Sequence, residues 1–166
     1  MTTLARARTP AQLSEVRRLL AEYVDSLPVD IAYEGFAKEW AGLPGAYAPP
    51  RGELLIASAD GQPAGCVALR PIDDETGEMK RFYVRPTFRG RGIGRALAGA
   101  VVDAARRIGC RRLLLDTHPT MTAAIALYRS MGFRETAPYR SIPVREELFM
   151  ELDLSHPSDV RDILRL

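Results

Sequence analysis

The chain has 166 residues, of which 46% are hydrophobic and 27% are charged. This length suits one compact domain, and this composition is typical of a folded soluble protein and excludes a largely disordered one. The formal net charge is only +2, so we expect no basic face for nucleic acid. Because no apolar run reaches membrane-spanning length and the N-terminus lacks the apolar core of a signal peptide, we expect a cytoplasmic protein with no membrane partner.

Helical and strand patterns follow one another along the first half of the chain. Thr9 is a predicted N-cap, and Pro10 opens a first helix whose apolar residues recur at helical spacing as far as Leu27. A weaker helix is predicted over Glu34–Ala41, followed by a loop over residues 43–52. An antiparallel meander comes next, with an Asp-Gly hairpin signal between its first two strands. Its predicted strands are Glu53–Ala59, Ala64–Ile72 and Glu78–Arg85.

The second half begins with a long predicted helix over Gly92–Ile108, which is closed by Gly109. The apolar segment Arg112–Thr117 is a predicted strand, and the intervening helix places it parallel to the strand before it. The remaining predicted elements are a helix over Thr120–Met131 and strands over Phe133–Pro138 and Glu147–Leu154. Residues 155–166 are predicted to be a helical or mobile tail outside the domain.

The two cysteines, Cys66 and Cys110, lie apart within apolar segments. Their positions match no metal-ligand spacing, and isolated cysteines of this kind are usually reduced core residues. We therefore expect neither a metal site nor a disulfide.

A turn rich in glycine and arginine joins the third strand of the meander to the long helix. Glycines leave the main chain open to a ligand, and bare N–H groups at a helix start attract anions. Arginines add fixed positive charge that pairs well with phosphate oxygens. We therefore predict a diphosphate site formed by Arg89, Gly90, Arg91, Gly92, Ile93, Gly94 and Arg95.

Two segments together resemble the Gcn5-related N-acetyltransferase (GNAT) family. Arg89–Gly94 is similar to the family's acetyl-CoA signature, in which arginine or glutamine, two free positions, glycine, one free position and glycine or alanine link a strand to a helix. Ala123–Phe133, with its Leu-Tyr and Gly-Phe pairs, is similar to the second signature. The resemblance implies a single-domain α/β fold over residues 1–154. It also implies a mixed, mostly antiparallel sheet of about six or seven strands, with helices on both faces and a splayed central strand pair.

The resemblance implies that acetyl-CoA is the co-substrate and that no metal takes part. The acetyl group would pass directly to an amine of a small molecule or peptide. The backbones of Phe82 and Val84 would pair with the pantetheine arm as if it were a strand, and an N–H near Phe82 would polarise the thioester carbonyl. Relatives often form homodimers through their last strands, so a homodimer is a further expectation.

The predicted catalytic side chains are Glu78 and Tyr128. Glu78 occupies the family's usual carboxylate position and could remove a proton from the acceptor directly or through a water. The alternative is a solvated residue paired with an arginine. Tyr128 could protonate the leaving thiolate, because a phenol with a pKa of about 10 keeps its proton at neutral pH. The alternative is that Tyr128 only packs on its helix.

The acceptor site is the least patterned part of the sequence. Tyr33, Trp40 and His118 are candidate acceptor-binding residues, although the aromatic residues around Trp40 could equally form a satellite core under a loop. Met121 stands where many family members carry asparagine, so a side-chain hydrogen bond to the cofactor that such members make is not expected here.

Three other functions are compatible with parts of the sequence. A dinucleotide-binding fold is disfavoured because the glycines do not follow the G-x-G-x-x-G spacing. A coenzyme A-sensing domain without turnover would keep the phosphate site, and the presence of both Glu78 and Tyr128 argues against it. Nucleic-acid binding through the arginine cluster would give an affinity that falls steeply with salt.

Overall fold

A mixed sheet of seven strands forms the centre of the described part of the fold. The computed structural model describes residues 1–27, 36–140 and 147–156. In chain order the strands are β1 (Thr2–Arg6), β2 (Glu53–Ala59), β3 (Gln62–Pro71), β4 (Thr76–Val84), β5 (Arg112–Thr117), β6 (Arg134–Glu135) and β7 (Leu148–Asp153). Their order in the sheet is β1-β2-β3-β4-β5-β7-β6, and β4 and β5 are the only parallel neighbours among the described strands.

Helices cover both faces of the sheet. They are α1 (Pro10–Ser26), α2 (Phe36–Ala41), α3 (Ile93–Ile108) and α4 (Thr122–Ser130), with short 3₁₀ turns at Gly45–Tyr47 and Pro86–Phe88. On one face α1 and α2 enclose a core that includes Leu19 and Tyr47. On the other face α3 and α4 enclose a larger core that includes Leu97, Val101 and Tyr128. The predicted α/β fold with a mostly antiparallel sheet and helices on both faces is confirmed.

The start of α1 shows why this segment is helical. The Thr9 hydroxyl accepts a hydrogen bond from the Gln12 N–H (3.2 Å), and the Gln12 side chain accepts one from the Thr9 N–H (3.0 Å). This reciprocal pair satisfies two donors that the helix itself leaves unused. Val16, Leu19 and Leu20 then repeat at helical spacing and are buried.

Several predicted boundaries need correction. β1 was not predicted, and the predicted strand Phe133–Pro138 shortens to β6, Arg134–Glu135. β4 begins two residues earlier than predicted, at Thr76, and the predicted loop before β2 contains the turn Gly45–Tyr47. The predicted beginning of the second helix at Glu34 lies outside the described residues, as does most of the predicted tail.

The central strands β4 and β5 part soon after they meet. Their parallel pairing covers only Thr76–Glu78 against Arg112–Leu114, and beyond it β5 continues beside β7 alone. β4 also bulges, because Ala68 of β3 pairs with Lys80 whereas Cys66 pairs with Tyr83, and Arg81 in the bulge has a positive φ of 58°. The predicted splayed pair is confirmed, and it leaves backbone groups of β4 facing a gap.

Candidate functional site

A cleft of about 450 Å³ opens where β4 and β5 part. All the predicted cofactor-binding residues line it except Arg91. Beside the cleft lies a smaller cavity of about 70 Å³, here called the inner pocket. Both cavities are lined in part by Tyr23, Phe82, Met121 and Ala124. The inner pocket is further lined by Lys80, Arg81, Asp116, His118, Tyr128 and Arg140.

The start of α3 presents open main-chain donors to the cleft. Its N-cap, Gly92, has a φ of 80° and no side-chain cap, and Gly90 has a φ of 79°. The first helical hydrogen bond runs from the Ala96 N–H to the Gly92 carbonyl (3.0 Å), so the preceding N–H groups stay outside the helical ladder. A Cβ built at either glycine would meet no atom within 4 Å. This geometry fits an anionic diphosphate.

The third glycine of the turn serves a different purpose. A Cβ on Gly94 would lie 3.2 Å from the Phe82 ring. The absence of a side chain at this position therefore lets α3 pack closely against β4 at the floor of the cleft.

The three arginines of the turn have different surroundings. Arg89 donates from Nε to the Val84 carbonyl (3.0 Å), and Arg95 donates to the Ser130 hydroxyl (2.9 Å). Arg91 instead forms a two-bonded ion pair with Asp60, at 2.8 and 3.2 Å. That pair is well exposed, and exposed pairs contribute little to stability. The phosphate role of Arg91 stays a prediction.

Tyr128 lies on α4 and lines the inner pocket. Only 5% of the residue is exposed, and its ring packs against those of Phe82 (5.9 Å) and Phe133 (5.7 Å between centroids). Burial raises the pKa of its hydroxyl well above the usual value. Tyr128 therefore keeps its proton at any ordinary pH.

Glu78 is completely buried near the beginning of β4. One of its oxygens accepts a hydrogen bond from Arg70 Nε (2.6 Å), and the other accepts one from the Tyr139 hydroxyl. Lys80 Nζ lies 3.9 Å from the first of these oxygens. Glu78 lines neither cavity, so any part it takes in proton transfer needs an intervening group.

The predicted acceptor residues fall in different places. Tyr33 lies outside the described residues. Trp40 is half-buried on α2, where it packs against the Phe36 ring (5.8 Å) and lines neither cavity. It is thus placed in the core on the α1 side of the sheet. His118 does line the inner pocket, and its Nδ1 accepts a hydrogen bond from the Thr120 N–H (3.3 Å).

Charged residues of the inner pocket were missed by the sequence reasoning. Arg140 donates to Asp116 at 2.7 Å, and the Asp116 side chain is only 10% exposed. Lys80 is 7% exposed. The signal for Lys80 was available, because it stands two positions after Glu78 on a strand and hence on the same face.

An ion pair between Arg81 and Glu39 links the bulge of β4 to α2. The Arg81 guanidinium donates to both oxygens of Glu39, at 2.8 and 3.0 Å, and it lies 4.0 Å from the centre of the Phe36 ring. The Tyr47 hydroxyl also donates to Glu39 (2.7 Å). Burial acts to raise the pKa of Glu39, but the hydrogen bonds and charge of Arg81 outweigh it and hold that pKa below its usual value.

We expect Glu39→Gln to lower the free energy of unfolding by about 2 kcal/mol at pH 7, because it removes the negative charge that Glu39 places against the buried Arg81 guanidinium. A carboxylate whose pKa is lower in the folded state stabilises above its unfolded pKa, and this contribution disappears as the pH falls through the folded value. The difference between the wild type and the variant should therefore shrink below about pH 4. Urea unfolding at pH 7 and pH 3.5 measures both, and a difference independent of pH would contradict the assignment.

The described residues include no candidate membrane-spanning helix and no candidate metal site. No helix there is long and apolar enough to cross a membrane. No cluster of three or more histidine, cysteine, aspartate or glutamate side chains there is placed to hold a metal ion.

Comparisons with known proteins agree with this geometry. A family model described as "Acetyltransferase (GNAT) family" matches residues 16–133. An uncharacterized N-acetyltransferase of Schizosaccharomyces pombe is 32% identical over 92% of this chain and 95% of its own, and an IAA acetyltransferase of Azospirillum brasilense is 42% identical over 64% and 71%. A proposed acetyltransferase of Salmonella typhimurium, solved with its cofactor acetyl-CoA, has the same fold, with a TM-score of 0.72 at 20% identity over 94% of this chain and 95% of that one. The chain therefore belongs to the GNAT acetyltransferase family.

Proposed function

We propose that this protein transfers an acetyl group from acetyl-CoA to an amine of a small molecule or peptide, with both substrates bound at once. The observation that carries the proposal is that two cavities lie side by side and share four lining residues. The cleft runs from the open start of α3 to Phe82, and the inner pocket adjoins it there with Tyr128 in its wall. The acetyl-CoA in the Salmonella structure and the N-acetyltransferase relatives support the same proposal.

The cleft would hold the coenzyme by its diphosphate and by its pantetheine arm. The main-chain donors at Gly92 and Ile93, with the side chains of Arg89 and Arg95, would bind the phosphates. The gap-facing backbone of β4 at Phe82 and Val84 would pair with the pantetheine arm, in the manner of an added strand. Acetyl-CoA supplies the activated acetyl thioester when it is bound.

Phe82 and Tyr128, which both line the inner pocket, would supply the remaining chemistry. The backbone N–H near Phe82 would polarise the thioester carbonyl, and the Tyr128 hydroxyl would protonate the leaving sulfur. Glu78 would act only through another group, because both of its oxygens already accept hydrogen bonds. The amine would enter through the inner pocket. A cytoplasmic location and a homodimer stay predictions.

The test is amine-dependent release of coenzyme A thiol from acetyl-CoA, measured with a thiol reagent over a panel of amino acids, polyamines, aminoglycosides and peptides. We expect release with at least one class of amine and an acetylated product by mass spectrometry. Calorimetry on the same preparation measures acetyl-CoA binding. Binding without transfer to any amine would favour the coenzyme A-sensing alternative, and absence of binding would contradict both functions.

A further inference from the structure

Lysine is scarce in this chain, and one of its two lysines lies in the inner pocket. Of the 23 lysine and arginine residues, only Lys38 and Lys80 are lysines. Lys38 is exposed on α2, whereas Lys80 is buried on β4 and lines the pocket. An arginine keeps its proton at any ordinary pH, but a buried lysine can lose it. The pocket thus contains a basic side chain of the kind that can accept a proton.

The other titratable groups near this pocket are already engaged. Both oxygens of Glu78 accept hydrogen bonds, and Asp116 accepts one from Arg140. His118 Nδ1 already contacts the Thr120 hydroxyl (2.7 Å) and the Thr120 N–H (3.3 Å). Glu147, which lines the same pocket, also has interactions of its own. Lys80 Nζ has a longer contact, 3.9 Å to Glu78.

The charges around Lys80 come from three segments of the chain. Burial disfavours the ammonium form most strongly, and the neighbouring cations Arg81 and Arg140 act in the same direction. Glu78 and Asp116 act in the opposite direction. The net result lowers the pKa of Lys80 to about 8. A substantial neutral fraction then exists near physiological pH.

We propose that the neutral amine of Lys80 is the group that removes the proton from the acceptor ammonium, and that Glu78 acts through it by stabilising the resulting Lys80 ammonium. The inference rests on the proposed function, because it assigns a step of the same reaction. It also gives a reason for the arrangement of β4, in which a fully buried carboxylate lies next to a lysine that borders the pocket.

The protons balance as follows for a primary amine. The acceptor ammonium has three N–H protons and the amide product has one. One proton passes to Lys80 Nζ before attack and from there to solvent. As the C–N bond forms and the C–S bond breaks, nitrogen loses its second proton, and this proton replaces the one that the Tyr128 hydroxyl gives to sulfur. The net reaction releases one proton, coenzyme A thiol and the acetylated amine.

The first measurement follows the Lys80 proton without any acceptor. With ¹³C-labelled lysine, a spectrum of the full chain contains signals from only two lysines, and the Lys80→Arg variant identifies the Lys80 signal by its loss. We expect this signal to titrate with a midpoint near 8. A midpoint at or above about 10, the value of a free lysine, would overturn the proposal.

The second measurement tests the role in turnover. Lys80→Arg keeps a positive charge near Glu78 but cannot become neutral, so we expect kcat to fall by about 100-fold or more. The dissociation constant for acetyl-CoA should stay unchanged. The wild-type kcat should rise as the pH climbs through the Lys80 pKa, and this rise should be lost in the variant. Lys38→Arg is the matched control and should behave as the wild type does.

Two outcomes separate this inference from the proposed function. If the wild type turns over and Lys80→Arg has the same rate and the same pH profile, the role of Lys80 is overturned and the proposed function stands. Binding of acetyl-CoA without transfer to any amine in the wild type would overturn the proposed function and this role together. Lys80→Met, checked by circular dichroism, provides a second variant if the buried guanidinium disturbs the fold. It should lose turnover as Lys80→Arg does, and normal turnover in it would equally overturn the role.

Discussion

Gly92→Glu is expected to abolish measurable acetyl-CoA binding while the domain stays folded. The substitution places a carboxylate at the uncapped start of α3. There the main-chain donors and the helix dipole favour a negatively charged group, such as a phosphate of the coenzyme. Competition for these donors and repulsion between like charges should weaken binding on the order of 100-fold or more. Calorimetric titration with acetyl-CoA measures the loss, and circular dichroism checks the fold.

The positive φ of Gly92 makes a matched control necessary. Gly109 ends the same helix with a φ of 97°, and a Cβ there would also meet no atom within 4 Å. Gly109→Glu therefore introduces similar backbone strain and the same charge at the opposite end of α3. It should leave the affinity for acetyl-CoA intact. Gly92→Gln separates size from charge, and an unchanged affinity in Gly92→Glu would contradict the phosphate site.

Local sequence patterns predicted the elements that build the cleft. The apolar spacing and Gly109 placed α3 within one residue of its observed span, and β5 was predicted with both ends correct. Both elements are determined by residues close to one another in the sequence, so a local pattern is enough to predict them. β1 was missed because all its residues are exposed and show no buried alternation. It pairs with distant β2, and Arg6 at its end reaches the buried Glu53.

In the candidate site, too, the parts formed by neighbouring residues were predictable and the contacts between distant residues were not. Its phosphate-binding part is a continuous turn and helix start, which the glycines and arginines indicated. Contacts between distant residues were not predictable, such as Arg91 with Asp60, Arg81 with Glu39 and Tyr139 with Glu78. Each pairs side chains more than 30 residues apart. A single sequence does not show which of its many charged residues become partners. For this reason the residues of the inner pocket could be identified only from the structure.

Tyr128→Phe is expected to lower kcat by about 100-fold while the affinity for acetyl-CoA changes little. A phenylalanine keeps the ring contacts with Phe82 and Phe133, so only the proton donor is lost. Tyr83→Phe is the matched control, because Tyr83 also lines the cleft but its hydroxyl donates to Glu22 (3.4 Å) on the α1 side. Its turnover should stay close to that of the wild type.

The pH profile distinguishes this defect from one at Lys80. Because burial raises the pKa of Tyr128, its hydroxyl is protonated throughout an assay range of about pH 6 to 9. The loss of kcat in Tyr128→Phe should therefore be the same at every pH in this range, and the rise of the rate with pH should persist. In Lys80→Arg that rise should disappear. If Tyr128→Phe retains normal turnover, the sulfur receives its proton from water or another group, and the buried phenol serves only to pack α4 against β4.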